Sequence, residues 1–324
     1  MLSRVAESIY WMSRYLERAE NVARFIDVNW RLALDIPEQD EQWGPLIMIT
    51  GDYGDFLERY EEGATRENTL HYLTLNPGYP NSVLSCLRAA RENARTIREM
   101  IPSEMWEIIN AFYHDAESVA RDPSAFIADP AAFCRRAKQY GLALGGVSLG
   151  AMAHDESWRF FNLGQSLERA DKTSRILDVK YFILLPSLQD VGTALDYIQW
   201  TALLRATSGL QAYRHRHGRI APQKVAEFLL LDQEFPRSVL FCLMTAQRML
   251  HEITGSRLTY FSNPAEKDLG LLCAQLSYTS MEDILKHGLH EFTDNLQTRM
   301  NTAGNAIFTT FFDVIPAIDQ TAEQ

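Results

Sequence analysis

The chain has 324 residues, 46% of them hydrophobic and 23% charged, with a net charge of -11 and a pI near 5.3. This is the profile of a globular protein with a sizeable core. It excludes a broad nucleic-acid-binding face and attraction to an anionic membrane, because no basic excess exists to neutralise phosphates. No apolar run reaches the roughly 18 residues of a transmembrane helix. The opening residues enter helix pattern at once (Leu2, Val5, Ile9) without the features of a signal peptide, so a cytoplasmic location is expected. Cys86, Cys134, Cys242 and Cys273 show no CxxC spacing, which argues against a zinc site and a disulfide scaffold.

In chain order, residues 1 to about 35 read as one helix. Pro37, Gly44, Pro45, Gly51 and Gly54 mark a loop region to about 68, with a short helix near 55–61. Asn68 or Thr69 opens a short helix stopped by Asn76-Pro77-Gly78. A strong amphipathic helix follows Pro80 and is interrupted at Pro102. Ser103 is expected to cap the next helix, which runs to about Arg121. Asp122-Pro123 and Asp129-Pro130 are turns. Ala131 to Leu144 is helical and precedes Gly145-Gly146. A long helix extends to about Leu185, and Pro186 starts a connection. Ala194 to Arg216 reads as one long helix ended by His217-Gly218. Asn263-Pro264 is a break, with two helices expected over 264–286 and 287–312. No alternating β-branched runs stand out, so the chain is expected to be all-α.

One stretch recurs. Ile9 to Trp30 (IYWMSRYLERAENVARFIDVNW) returns as Phe160 to Tyr181 (FFNLGQSLERADKTSRILDVKY). Ile9, Met12, Leu16, Ala19, Ala23, Ile26 and Trp30 step by three and four, the seam of a packed helix. Phe160, Leu163, Leu167, Ala170, Ser174, Leu177 and Tyr181 repeat it with one polar break. Glu17, Arg18, Arg24 and Asp27 recur as Glu168, Arg169, Arg175 and Asp178. These charges share their half of the helix with Tyr10, Trp11, Tyr15 and Phe25, so the helix is buried and its charges need partners. Two readings stand: a salt-bridge network tying two halves together, or a polar cavity lined by both copies that binds a charged ligand. A second pair of copies, from His71 and from Glu227, shares an aromatic-Pro-x-Ser helix entry: Tyr79-Pro80-Asn81-Ser82 and Phe235-Pro236-Arg237-Ser238. Cys86 and Cys242 fall on apolar stripes and read as core. The expected fold is a single domain over 1–324, a multi-helix bundle of two tandem-duplicated helical halves (about 1–145 and 150–312) with pseudo-two-fold symmetry.

The usual chemical signatures are absent. No Glu has a His three residues later, as a di-iron bundle requires. There is no DDxxD, Gly-x-Ser-x-Gly, P-loop or dinucleotide fingerprint. His287 and His290 share a helical face but lack a third ligand, so no metal and no cofactor is expected. Tyr213-Arg214-His215-Arg216-His217 ends a helix. It is either a set of cations favoured by the helix dipole or a local anion site. Asn93, Arg95, Arg98, Glu104 and Trp106 read as a solvated face with local pairs. His154-Asp155-Glu156 reads as the acidic first turn of the recurring helix or as a cavity rim.

The opening MLSRVAESIYWMSRYLERAENVAR, SEMWEIIN at 103–110, DESWRFFNLGQSLERADKTSRILDV and AYRHRHGRIAPQKVAEFLLLDQEFPRSVLFCL resemble the alpha-E family of bacterial all-helical domains over nearly the full length. That resemblance implies a role beside circularly permuted ATP-grasp proteins, transglutaminase-like proteins or proteasome-like peptidases in a peptide or amide-forming system. The family pattern carries onto Arg14, Glu17, Arg18, Glu20, Asn21, Arg24, Glu156, Trp158, Glu168, Arg169, Asp171, Arg175, Asp178, Tyr213, Arg214 and Arg216, with departures at Gln165, His215 and His217. The expected role is an accessory subunit of an ATP-grasp amidoligase. Arg24, Arg175, Arg214 and Arg216 would hold carboxylates, and Glu17 and Glu168 an ammonium group. The alternatives are an independent enzyme with Glu17 or Glu168 as general base, and a purely structural or assembly protein.

Overall fold

The computed structural model describes residues 1–35, 43–48, 50–184 and 194–313, with side chains 34–35, 179–184 and 194–195 left aside. Pro37, Leu185, Pro186 and the side chain of Tyr181 lie outside the described residues. All regular structure among the described residues is helical, and none of these helices is long and apolar enough to cross a membrane.

Helix α1 (Ser3–Asp35) is followed by the short helices α2 (Gly44–Met48), α3 (Tyr53–Arg59) and α4 (Arg66–Leu70). The cap of α4 is Thr65 rather than Asn68 or Thr69, and the helix widens into a π-turn over His71–Leu75. Then come α5 (Val83–Thr96), α6 (Ser103–Arg121), α7 (Ser124–Ala128), α8 (Ala131–Gly150) and α9 (Glu156–Leu184). The chain continues with α10 (Ala194–Ala206), α11 (Leu210–His217), α12 (Pro222–Leu231), α13 (Val239–Thr254), α14 (Pro264–Ser277), α15 (Met281–His287) and α16 (Leu289–Phe311).

The two aromatic-Pro-x-Ser entries cap their helices alike. Ser82 Oγ accepts from the Ser85 N–H and Ser238 Oγ from the Phe241 N–H, both at 3.1 Å, each satisfying a donor that the first helical turn leaves free. Cys86 and Cys242 lie one turn further on, buried, with burial pushing both thiols up to about 12. They are packing residues, as expected.

Two sets of helices pack in the same order. α1 lies on α5, α5 on α6, α6 on α8, and α8 returns to α1; α9 lies on α13, α13 on α14, α14 on α16, and α16 returns to α9. α1 and α9, the two copies of the recurring stretch, pack on each other where these rings meet. They come close at Gly164, where a Cβ would overlap Ser13 Oγ and the Tyr10 carbonyl. Ser13 and Gly164 occupy the same register in the two copies, so small residues on both helices let the backbones meet. The buried apolar side chains form one continuous cluster through both halves.

Several boundaries differ from expectation. α8 runs straight through Gly145-Gly146, because neither glycine takes a positive φ. Ser103 is the first residue of α6 and makes no cap; its hydroxyl bonds Glu104. The long helix expected over Ala194–Arg216 is two, α10 and α11, broken at Thr207–Gly209, where Ser208 has φ +56°. The described residues after Asn263 hold three helices. α15 is closed at its start by a reciprocal Ser280–Asp283 capping box, and Gly288 at φ +96° separates it from α16. His287 and His290 therefore stand on different helices and share no face. His287 bonds the Asp283 carbonyl, and His290 turns inward to Asp178 at 2.9 Å.

Candidate functional site

The recurring charged residues converge where α1 crosses α9, and they pair across the two copies. Arg169 of α9 donates through Nε and Nη2 to the two carboxylate oxygens of Glu17 on α1, at 2.9 and 2.7 Å. Arg18 of α1 donates in the same way to Glu168 of α9, at 2.6 and 2.9 Å. Each Glu-Arg dipeptide thus gives its acid to the arginine of the other copy and its arginine to the other copy's acid. Both contacts are two-pronged, the geometry in which a guanidinium holds a carboxylate most firmly.

Further donors fill the remaining acceptor capacity. Glu168 also takes Arg14 Nε at 2.9 Å and lies 3.5 Å from Lys172 Nζ. Glu17 also takes Arg237 Nη1 at 3.0 Å and Asn21 Nδ2 at 2.9 Å. Arg14 lies over the Trp11 ring at 5.1 Å and Arg18 over Tyr15 at 5.6 Å, so aromatic faces back both guanidiniums. Flanking the crossing are two pairs in matching register, each joining residues one turn apart. Arg24 holds Glu20 at 2.6 and 2.8 Å, and Arg175 holds Asp171 at 3.0 Å. One turn beyond these, Asp27 takes Lys138 from α8 at 2.6 Å, and Asp178 takes Thr293, His290 and Gln297 from α16. The repeated acid therefore ties each central helix to the last helix of its own half.

Burial and charge decide what this cluster can do. The side chains of Glu17 and Glu168 have 0% exposure, while Arg14, Arg18, Arg169 and Arg237 keep 11–20%. The carboxylates form a floor and the guanidiniums a partly wetted cover. Burial pushes the Glu17 carboxyl up, but Arg169 and Arg237 outweigh it and leave it at about 2. For Glu168, burial is likewise overcome by Arg18, Lys172 and Arg14, and the carboxyl lies well below the usual range. Asp171 is lowered against burial by Lys172 and Arg175. Burial is also the largest influence on Arg14, Arg18 and Arg169, yet the acids they hold raise all three, with Tyr10 adding to the rise at Arg14. A buried carboxylate held this far below its usual range has little of the proton affinity a general base needs. The arrangement holds two helices in register.

The structure brings together Arg14, Glu17, Arg18, Glu20, Asn21, Arg24, Glu168, Arg169, Asp171 and Arg175. Five expected members stand elsewhere. Glu156 and Trp158 are at the start of α9, roughly 18 Å along the helix from Glu168; Glu156 pairs with the Met1 amino group at 2.8 Å and Trp158 stacks on His154 at 4.0 Å. Tyr213 is buried, donating to the Arg219 carbonyl and accepting from the Ala221 N–H. Arg216 pairs with Asp232 and Glu234. Arg214 lines a separate cavity with Arg31 and Arg205. Among the described residues no group of three or more His, Cys, Asp or Glu side chains is placed to hold a metal ion.

Arg237, Lys172 and Asn81 belong to the cluster and were not singled out from sequence. Asn81 accepts from Arg18 Nη1 at 2.7 Å, and Arg237 bridges Glu17 and Glu20. Asn81 and Arg237 are the x of the two aromatic-Pro-x-Ser entries, the one position of that element at which both size and charge change between copies. The signal was there, at a site of difference rather than identity. The broken helix also has its explanation here: Arg24 Nη1 donates to the Ala206 carbonyl at 3.0 Å and to Ser208 Oγ at 2.7 Å, so the gap between α10 and α11 supplies acceptors for a buried guanidinium.

Residues 1–312 match the Alpha-E family, described as a predicted alpha-helical domain with a conserved ER motif, and the chain belongs to that family. Glu17-Arg18 and Glu168-Arg169 are the two Glu-Arg pairs at the crossing. An uncharacterised protein of Mycobacterium bovis and one of Mycobacterium tuberculosis are each 28% identical over 272 residues, covering 78% of this chain and 30% of their own. A further Mycobacterium tuberculosis protein, also uncharacterised, is 27% identical over the same shares. The chain spans less than a third of the length of these curated relatives. No solved structure matches it.

Proposed function

We propose that this chain is a non-catalytic partner of a circularly permuted ATP-grasp amidoligase, built from two copies of one helical unit clasped by their exchanged Glu-Arg pairs. The observation that carries the reading is the full engagement of Glu17 and Glu168. Each is buried, ionised and held by at least two cations, which speaks against the general-base alternative and for a binding or organising role. The length of the mycobacterial relatives supports a partnership, since there the matched region is 30% of a longer chain. The partner's class rests on the family resemblance. ATP-grasp chemistry forms an acyl phosphate from a carboxylate, which an amine then attacks, so a helical partner would present one of the two substrates. Of the four arginines expected to hold carboxylates, Arg24, Arg175 and Arg216 already have acidic partners within the chain, which leaves Arg214 for a ligand.

The test is co-expression with a circularly permuted ATP-grasp protein. The two are expected to co-purify, and substrate-dependent ADP release to require both. Turnover by this chain alone, or full ligase activity without it, overturns the proposal.

A further inference from the structure

A cavity of about 190 Å³ lies between the last third of α1 and the helices α10 and α11. Its wall is apolar at Val28, Leu32 and Ile198, and Arg31, Arg205 and Arg214 line it. Every arginine of the clasp holds an acid. Here Arg31 gives its Nε to Asp27 at 3.2 Å, while Arg205 and Arg214 have no acidic partner among the described residues. Arg205 is in the last turn of α10 and Arg214 in the last turn of α11. The helix dipole favours one cation at each such end. It does not account for both opening, with a third from α1, onto one apolar-walled cavity in a chain of net charge -11.

We propose that this cavity binds a carboxylate carried on a compact apolar body, such as a free branched-chain acid or the C-terminal residue of a peptide. Planar guanidiniums match a carboxylate in a two-pronged fashion, and the apolar wall takes the side chain out of water. The volume equals that of about six waters at liquid density, which suits one residue rather than a drug-sized ligand. Arg205 and Arg214 stand in the C-terminal turns of their helices, where the dipole opposes a doubly charged anion more than a singly charged one, so a carboxylate is preferred to a phosphate dianion. The inference does not rest on the ligase reading, and its test uses this chain alone.

N-acetyl-L-leucine, 4-methylpentanoate, N-acetyl-L-leucine amide and inorganic phosphate are titrated separately by calorimetry, with ligand-observed NMR as a second readout. At least one of the two acids is expected to bind, and the neutral amide and phosphate to bind at least about tenfold more weakly. Stronger binding of the acetylated residue assigns a peptide end; stronger binding of 4-methylpentanoate assigns a free acid. Arg205→Gln and Arg214→Gln are each expected to weaken the acid about tenfold or more with an unchanged melting temperature, whereas Arg216→Gln, which stands outside the cavity, leaves it unaltered. The proposal fails if neither acid binds at about 10 mM, if the amide or phosphate binds as well as the acids, or if both cavity variants retain full affinity.

Discussion

Adjacent residues on an α-helix point about 100° apart, so Glu17 and Arg18 can engage one partner helix only from opposite sides of a crossing. Arg169 comes to Glu17 from one side and Arg18 reaches Glu168 on the other. Breaking a buried pair costs more than the pair's net worth, because the surviving charge is stranded. Glu17→Gln is therefore expected to destabilise the protein by roughly 3–5 kcal/mol, read from the midpoint of urea unfolding. The exchange Glu17→Arg with Arg169→Glu should recover part of that loss, because it restores the pair while leaving Arg237 opposite a cation. The depressed carboxyls also set a pH dependence. Their folded values lie below the unfolded ones, so their contribution is complete above the ordinary carboxylate range and drains away as pH falls through it toward about 2, the folded value of Glu17. Thermal melts from pH 7 to pH 2.5 should be flat at first and then fall, and the acid-side slope should be shallower in Glu17→Gln. A slope identical in the variant would mean that other groups govern acid unfolding.

At the scale of elements, the decisive contact is the α1–α9 crossing. Gly164→Ala places a methyl against Ser13 Oγ and the Tyr10 carbonyl, and overpacking of this kind costs roughly 1–3 kcal/mol. It should also separate the helices enough to loosen both Glu-Arg pairs, so its effect combined with Glu17→Gln should be less than additive in a double-mutant cycle. Ser82→Ala and Ser238→Ala each remove a cap and should cost about 1 kcal/mol, with similar values in both copies. The existence of the longer helices was legible from hydrophobic stepping and from proline and serine entries, whereas the five-residue helices α2 and α7 were read as loop and turn. Several ends were not, because nothing local sets them. Gly145-Gly146 stay helical inside α8, whereas the break after Ala206 contains no proline and arises where Arg24 takes the freed carbonyl and Gly209 lets the Phe228 and Phe235 rings approach.

Across the whole molecule, the two rings of helices share one apolar cluster and one ionic clasp. Unfolding is expected to be a single transition, with tryptophan fluorescence and far-UV circular dichroism giving coincident curves; two separated transitions would show that each half is stable without the other. The all-helical class, the two matched stretches and the residues Glu17, Arg18, Glu168 and Arg169 could be read from the chain alone, because helical periodicity is local and because a retained charge on a buried helix must have a partner. Which partner could not be read. That depends on the angle and register at which α1 meets α9, on Asn81 and Arg237 arriving from the turns that enter α5 and α13, and on close approach at Gly164. The same holds for the cavity beside Arg205 and Arg214: those arginines are ordinary helix-end cations in the sequence, and only the packing of α10 and α11 against α1 gathers them with Arg31 around an apolar wall. Local pattern fixes which side chains seek company; the crossing of helices decides which of them find it.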